Sequence, residues 1–360
     1  MMTDSNKKQT RRTTMKDIAE ALQLDRTTVS KALAGKPGLA AKTRRLILET
    51  ARQMGYKKDA FASSLMTGKN NILGLVLTDL TRGLFAPFVN SYQETARQED
   101  YGVLLCNLEK SADGQAGAIM QLELLRQQRV SGITFVSNGT ARIPEHYYDE
   151  LLAEGIPFNI VESRSLIEGP GHIRFDHKGA GLELTRYLLG LGHRRIAFVT
   201  YSPRMHRHMT PKGRFEGYLE AMKEAGLAPI TVFENQHYAS TCGEEVQLAY
   251  RLLANAWESL PSPTAVIGAN DAFALGALHY FKNRGISVPD DVSLAGFDDL
   301  YGEMAVPRMT SMRMPVFESG SLAARLLISR IRSGEEDKRD KLTWLDYTVT
   351  VRETTTPPKR

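Results

Sequence analysis

Short apolar runs alternate with helical stretches along most of the chain after residue 70, and this alternation is the strongest constraint on its fold. The run at residues 72–77 is continuously apolar and ends in Thr78-Asp79, as a buried parallel strand would. Comparable runs follow at residues 102–106, 132–136, 158–161, 195–200, 265–268 and 292–297. Helices are expected at residues 88–99, 114–128, 147–153, 179–191, 214–225, 243–254, 271–284 and 316–332. This pattern predicts an α/β fold, and its length favours two Rossmann-like halves that face a cleft.

Charge is distributed unevenly along the sequence. Residues 1–70 hold 15 Lys and Arg against 6 Asp and Glu, whereas the whole chain has a net charge of only +5. The rest of the chain is therefore slightly acidic. A short basic end on an acidic body is typical of a polyanion-binding module. Charge alone does not separate such a module from a solvated basic tail.

Composition and patterning argue against several other classes of protein. No apolar run reaches the roughly 18–20 residues of a membrane span, and no apolar segment of a secretory signal follows the basic N-terminus. Cys106 and Cys242 are too few for a disulfide framework or a four-cysteine zinc site. We therefore expect a reduced, cytoplasmic protein that binds no membrane, metal or cofactor.

Three short helices are predicted in the basic end, over residues 15–22, 26–33 and 41–54. Their inward-facing apolar residues are Met15, Ile18, Ala19, Leu22, Val29, Leu33, Leu46, Ile47 and Ala51. The polar face of the second helix carries Arg26, Thr27, Thr28, Ser30 and Lys31. Two helices joined by a tight turn and braced by a third form a helix-turn-helix, whose second helix fits the major groove of DNA. A small helical bundle with a solvated polar face is the alternative.

The sequence from residue 15 to residue 69 resembles the N-terminal headpiece of the LacI/GalR family of bacterial repressors. The resemblance implies that the side chains at Arg26 and Thr27 read bases. It also implies contacts to phosphates or the groove edge from Thr14, Thr28, Ser30 and Lys31. Residues 60–66 match a hinge helix whose leucine, here Leu65, enters the minor groove and kinks the duplex. Gln23 departs from the family's usual turn glycine.

The resemblance continues almost to the C-terminus. Segments that match family signatures are residues 190–198, 214–218, 269–271, 275–277, 288–293, 296–299 and 351–354. The likeness implies a core similar to the periplasmic sugar-binding proteins, in which the chain crosses between two halves three times, here near Gly171, Met314 and residues 344–346. The expected segments are a disordered basic tail (1–13), a headpiece (14–58), a hinge helix and linker (59–70), and two core subdomains (71–171 plus 315–343, and 172–314 plus 344–360).

The same resemblance implies an effector site in the cleft. Arg214 and Asp271 match the usual effector contacts, and a guanidinium with a carboxylate can pair with adjacent hydroxyls of a sugar. Phe85 could stack on the apolar face of a pyranose. Further predicted contacts are Glu162, Arg164 and Asn270. The alternatives are that Arg214 forms an ion pair, that Asp271 caps a helix, and that Phe85 belongs to the core.

These features predict a sequence-specific transcriptional regulator, most commonly a repressor, that binds a palindromic DNA operator as a homodimer and responds to a mono- or disaccharide. One alternative is a sugar-binding protein without a DNA role, for transport or sensing. A sugar-active enzyme is another, and it lacks support because the sequence has no P-loop, dinucleotide fingerprint or Gly-x-Ser-x-Gly elbow. Residues 206–208, His-Arg-His, are not expected to bind a metal because no acidic or cysteine partners complete a shell.

Overall fold

The described part of the computed structural model comprises residues 13–33, 35, 37–56, 70–77, 83–108, 116–136, 143, 145–162, 167–202, 209–233, 241–334 and 342–359. The chain divides into two compact units, Met1–Asn70 and Asn71–Arg360. Several sequence predictions lie outside the described residues: the basic tail before Thr13, the hinge with Leu65, Arg164 and the group at 206–208.

The first unit contains three helices, α1 (Met15–Leu22), α2 (Arg26–Leu33) and α3 (Ala41–Gln53). A capping box begins α1: the Thr14 hydroxyl accepts a hydrogen bond from the Asp17 amide, and the Asp17 carboxylate accepts one from the Thr14 amide. Helix α1 ends at Gln23, whose φ of 52° is the left-handed conformation that glycine usually takes at this position. The all-α headpiece predicted from the sequence is therefore present.

Six buried apolar side chains form the centre of this unit: Ile18, Ala19, Val29, Ala32, Ile47 and Ala51. The prediction that Leu46 faces inward is wrong, because its side chain is 49% exposed. Ile47 and Ala51 are four residues apart and share one face of α3. Leu46 is rotated by about 100° from Ile47, which takes it off the buried face.

The second unit is built on two six-stranded sheets, which we call the first and second lobes with the helices that pack on them. The first sheet contains β1 (Ile72–Leu77), β2 (Gly102–Asn107), β3 (Gly132–Val136), β4 (Phe158–Val161), β5 (Gly171–Phe175) and β11 (Leu342–Leu345). The second contains β6 (Ile196–Val199), β7 (Ile230–Val232), β8 (Ala265–Gly268), β9 (Ser293–Asp298), β10 (Thr310–Arg313) and β12 (Thr348–Thr350). The strand orders are β11-β5-β4-β3-β1-β2 and β12-β10-β9-β8-β6-β7, and all neighbours are parallel except β10 and β12.

Eight helices of this unit are described: α4 (Phe85–Gln98), α5 (Ala116–Gln127), α6 (Glu145–Ala153), α7 (His177–Gly190), α8 (Met209–Glu224), α9 (Cys242–Ala256), α10 (Asp271–Arg284) and α11 (Val316–Ser333). Every residue of β3, β4, β6, β8 and β9 is buried, as expected for parallel strands with both faces covered. The predicted α/β fold class is confirmed. None of the helices described here is long and apolar enough to cross a membrane.

The chain passes between the two sheets three times. Strand β5 still pairs with β4, so the first crossing follows Phe175 rather than Gly171. The second lies between β10 and α11, and the third lies between β11 and β12. The sheet pairings thus extend the first lobe to residues 175 and 345, a few residues beyond the boundaries expected at 171 and 343.

Five strands are absent from the sequence prediction: β5, β7, β10, β11 and β12. Each has only three to five residues, and several mix polar and apolar side chains. Strand β11, at the edge of its sheet, alternates exposed and half-buried residues. Such segments become strands because neighbouring strands offer hydrogen-bonding partners, which local sequence does not record.

Candidate functional site

The outer face of α2 is polar, cationic and accessible. Arg26, Thr27 and Lys31 are exposed, and Thr28 and Ser30 are half-buried. Beneath them Val29 and Ala32 anchor the helix to the headpiece core. Within the described part of the chain, neither Arg26 nor Lys31 forms an ion pair, so both charges are available to a polyanion. Thr14, also exposed, begins α1 at the capping box.

Arg214 lies on α8 and is buried, at 1% exposure. Its Nη1 donates to the Ala269 carbonyl over 2.9 Å, and its Nη2 forms an ion pair with Asp298 and donates to the Tyr347 hydroxyl over 3.2 Å. Burial alone would lower the pKa of this guanidinium, but Asp298 and Tyr347 raise it above the usual value. Its Nε has no hydrogen-bond partner among the described residues. The alternative that Arg214 forms an ion pair is therefore confirmed, with Nη2 as the nitrogen that makes it. The buried Nε donor remains unused among the described residues.

The position of Arg214 depends on close contact between α7 and α8. A side chain on Gly181 of α7 would collide with the Arg214 carbonyl, and one on Gly217 of α8 would collide with the Lys178 carbonyl. Glycine at these two positions therefore allows the helix backbones to touch. The guanidinium lies over the Phe297 ring, 4.7 Å from its centroid, which further fixes its orientation.

Asp271 is the first residue of α10 and is as deeply buried as Arg214. Its Oδ2 accepts hydrogen bonds from the Leu300 and Tyr301 amides over 2.8 and 3.0 Å, and its Oδ1 accepts one from the Ser311 hydroxyl over 2.6 Å. Burial and the nearby negative charge of Asp298 raise the pKa of Asp271 to about 7. This carboxyl group therefore changes charge near neutral pH.

Asn270, the residue before Asp271, is the N-cap of α10. Its side chain accepts a hydrogen bond from the Phe273 amide over 2.9 Å and donates one to Glu245 over 3.1 Å. The alternative in which Asp271 caps the helix is wrong, because Asn270 fills that role. Asp271 is thus turned toward the loop after β9 instead.

Glu162 follows β4 in the first lobe and takes a positive φ of 62°. Its Oε1 accepts a hydrogen bond from the Phe175 amide over 2.8 Å, and its Oε2 lies 2.7 Å from Nε2 of His177. A non-glycine residue in this conformation costs on the order of 1 kcal/mol. The two hydrogen bonds of the carboxylate hold the backbone there.

Phe85 begins α4 and is 8% exposed within the large hydrophobic core. This burial agrees with the alternative that Phe85 is a core residue and leaves little of its ring for stacking on a ligand.

Among the predicted effector residues, the structure brings Arg214, Asn270 and Asp271 together at the carboxyl ends of the strands of the second sheet. Glu162 lies across the cleft in the first lobe.

A narrow pocket of about 40 Å³ lies between the lobes beside these residues. Gly83 and Leu84 line it from the first lobe, and the second lobe contributes Cys242, Glu245, Asn270, Asp271, Ala272, Asp298, Leu300 and Tyr301. Among the described residues, this lining holds the carboxyl groups of Glu245, Asp271 and Asp298 and no Lys, Arg or His side chain. A hydrogen bond to Cys242, together with burial, raises the pKa of Tyr301 to about 12, so its hydroxyl stays protonated.

Asp298, His177, Glu245 and Tyr347 are site residues that the sequence reasoning did not single out. The sequence did contain an indication for Asp298, because this residue ends a buried apolar strand within a matched segment. Parallel sheets bind ligands beyond the carboxyl ends of their strands. The sequence contained no such indication for Tyr347, which lies in a short crossover between β11 and β12. Among the described residues, no cluster of three His, Cys, Asp or Glu side chains could hold a metal ion.

Comparisons with known proteins extend over nearly the whole chain. Residues 185–355 match the family described as periplasmic binding protein-like domain. The HTH-type transcriptional regulator DegA of Bacillus subtilis (strain 168) is 27% identical over 349 residues, which cover 96% of this chain and 99% of DegA. The lac repressor dimer bound to operator and the anti-inducer ONPF has a TM-score of 0.79 at 21% identity, covering 96% of this chain and 100% of that one. The CelR–cellobiose complex has a TM-score of 0.65 at 24% identity, covering 95% and 100%.

At these identities the two solved structures establish the shared fold, and DegA extends the similarity to sequence. The resemblance to the LacI/GalR repressors inferred from the motifs is thereby confirmed, and residues 185–355 are similar to the periplasmic binding protein-like domain.

Proposed function

We propose that this protein is a sequence-specific DNA-binding transcriptional regulator, a repressor that binds a palindromic operator as a homodimer. The observation that carries the proposal is the exposed cationic face of α2 on a helix-turn-helix, with Arg26 and Lys31 free of ion-pair partners among the described residues. DegA, whose name is that of a transcriptional regulator, supports it. In this proposal the protein binds DNA in the cytoplasm and catalyses no reaction.

In the proposed complex, α2 lies in the major groove. Arg26 and Thr27, at the N-terminal end of the helix, contact base edges, because that end enters the groove first. The side chains of Thr14, Thr28, Ser30 and Lys31 contact phosphates or the groove edge, and Leu65 enters the minor groove at the operator centre. One headpiece offers few such contacts, so two headpieces on two half-sites supply the affinity.

DNA binding can be measured by fluorescence anisotropy on a duplex from the region upstream of the protein's own gene. Arg26→Ala is expected to weaken binding about 5- to 150-fold, the range for loss of a specific base contact. Arg45→Ala is the matched control, since Arg45 is exposed on α3, is paired with Glu49, and its loss changes the net charge equally. Equal losses for both variants, or wild-type binding that does not weaken with added salt, would contradict the proposed interface.

The proposed effector is an uncharged mono- or disaccharide held between the lobes by Glu162, Arg164, Arg214, Asn270 and Asp271, whereas Phe85 belongs to the core beside them. Carboxylates and the unused Arg214 donor suit sugar hydroxyls, which both donate and accept hydrogen bonds. Cellobiose bound to CelR supports a sugar ligand. The pocket of about 40 Å³ is smaller than the roughly 300–1,000 Å³ of typical ligand sites, so the lobes must part to admit a sugar. That movement is the proposed link between effector and operator affinity.

A thermal-shift panel tests the effector class. Neutral mono- and disaccharides are compared with glucose 6-phosphate and glucuronate, because the carboxyl groups in the described part of the lining would repel an anionic ligand. A neutral sugar at 100 times its dissociation constant should stabilise the core by about 2.7 kcal/mol. Stabilisation by the anionic sugars alone, or by no member of the panel, counts against a neutral sugar effector. The dimer is tested separately by light scattering on the full chain.

A further inference from the structure

Four polar side chains, three of them buried and one half-buried, connect the two lobes through the crossover segments. Glu162 belongs to the first lobe, His177 begins α7 directly after the first crossing, Tyr347 lies in the third crossing, and Arg214 lies on α8 of the second lobe. His177, Tyr347 and Arg214 are each less than 7% exposed. We call these four residues the crossover relay.

The hydrogen bonds of the relay run in one direction. The Glu162 carboxylate accepts, so Nε2 of His177 donates to it over 2.7 Å. In the tautomer that carries its proton on Nε2, Nδ1 accepts from the Tyr347 hydroxyl over 2.7 Å, and the Tyr347 oxygen accepts from Nη2 of Arg214 over 3.2 Å. Thr210 lies 3.3 Å from Nε2 of His177 as a weaker neighbour. Every step of this chain has one donor and one acceptor.

Both ends of the relay are attached to strained backbone. Glu162 has a φ of 62°, and Asp298, the ion-pair partner of Arg214, has a φ of 95°. The second carboxylate oxygen of Glu162 binds the Phe175 amide at the end of β5, and the Asp176 amide donates to the Leu345 carbonyl, which ties two crossings together. Strained backbone of this kind is found at active sites, ligand clamps and switch regions.

We propose that His177 and Tyr347 are positioning residues that couple Arg214 in the effector site to Glu162 in the first lobe. This inference rests on the proposed function, because it describes how a ligand in the proposed effector site would act on the two lobes. Movement of Arg214 toward a ligand removes the donor that orients the Tyr347 hydroxyl. The Tyr347 hydroxyl is then less firmly oriented, so its hydrogen bond to His177, and through it the contact of His177 with Glu162 beside the first crossing, weakens.

Hydrogen exchange of the full-length protein, measured by mass spectrometry without DNA or sugar, tests the relay. Tyr347→Phe deletes the hydroxyl but keeps the ring that packs on Phe175 and His177. It should speed exchange in peptides covering residues 158–177 about five- to tenfold, as expected for loss of one buried hydrogen bond. Peptides covering residues 293–298 should change less than about twofold.

Two further variants separate coupling from general loss of stability. Tyr218→Phe is the matched control, since Tyr218 is also a buried tyrosine, and among the described residues its hydroxyl bonds only to the backbone of Ile196 and Ile230 in the second lobe. This variant should leave exchange in residues 158–177 unchanged. His177→Gln keeps one donor and one acceptor, so it should retain the slow exchange of the wild type in residues 158–177. His177→Leu has neither and should exchange as fast as Tyr347→Phe. Unchanged exchange in Tyr347→Phe, or equal acceleration throughout both lobes, would overturn the proposal. Because the assay contains no operator, its outcome is independent of whether the protein binds DNA.

Discussion

Replacing Asp271 with asparagine should remove a large part of the pH dependence of core stability. The folded protein holds a proton on Asp271 up to about pH 7, whereas an unfolded chain releases it near 3.8. The native state therefore binds more protons than the unfolded state between these values, and this group makes stability fall as pH rises through that window. The full shift corresponds to about 4 kcal/mol, of which about 3 kcal/mol falls between pH 5 and pH 8.

Asparagine is a close mimic of the protonated carboxyl group at this position. Its carbonyl oxygen can accept from the Leu300 and Tyr301 amides, and its amide can donate to the Ser311 hydroxyl, which rotates to accept. Urea unfolding of wild type and Asp271→Asn at pH 5 and pH 8 should show the variant gaining about 3 kcal/mol relative to wild type at the higher pH. Stability differences that are the same at both pH values would refute the assignment of this titration to Asp271.

Three other predictions concern the headpiece and the buried ion pair. Thr14→Ala should destabilise the headpiece by about 1 kcal/mol through loss of the capping box, with Thr14→Ser retaining stability in the same thermal unfolding assay. Lys31→Ala should reduce the slope of log affinity against log salt by about 1, and an unchanged slope would remove Lys31 from the phosphate contacts. Arg214→Met should cost roughly 3–5 kcal/mol in urea unfolding, because Asp298 would stay buried without its cation. Adding Asp298→Asn should recover much of that loss, and an equally unstable double variant would mean that the ion pair is not its source.

The wild-type contacts of Arg214 also change how its role in the effector site must be tested. Truncation of this residue removes a predicted effector contact, but a buried guanidinium with three partners also supports the lobe itself. The double variant separates the two effects, since it restores charge balance without restoring the unused Nε donor.

Periodicity and charge in the sequence were sufficient to predict the headpiece and most of the parallel strands. Apolar residues at helical spacing place Ile18, Val29 and Ile47 in one small core, and continuous apolar runs predict strands with both faces covered. These are local patterns, so they can be read without knowing which elements become neighbours. Edge strands such as β11 could not be found this way, because pairing rather than side-chain pattern makes them strands.

In the cleft, too, some features could be predicted from the sequence and others depend on the folded structure. Sequence motifs selected Arg214 and Asp271, since each lies in a recognisable segment. Only the folded chain decides that Arg214 pairs with Asp298, 84 residues away, and contacts Tyr347, 133 residues away. The charge of Asp271 near neutral pH is likewise set by burial and by Asp298. Sequence thus determines which side chains are present and which local elements they occupy, whereas desolvation and long-range contacts, which exist only after folding, determine what those side chains can do.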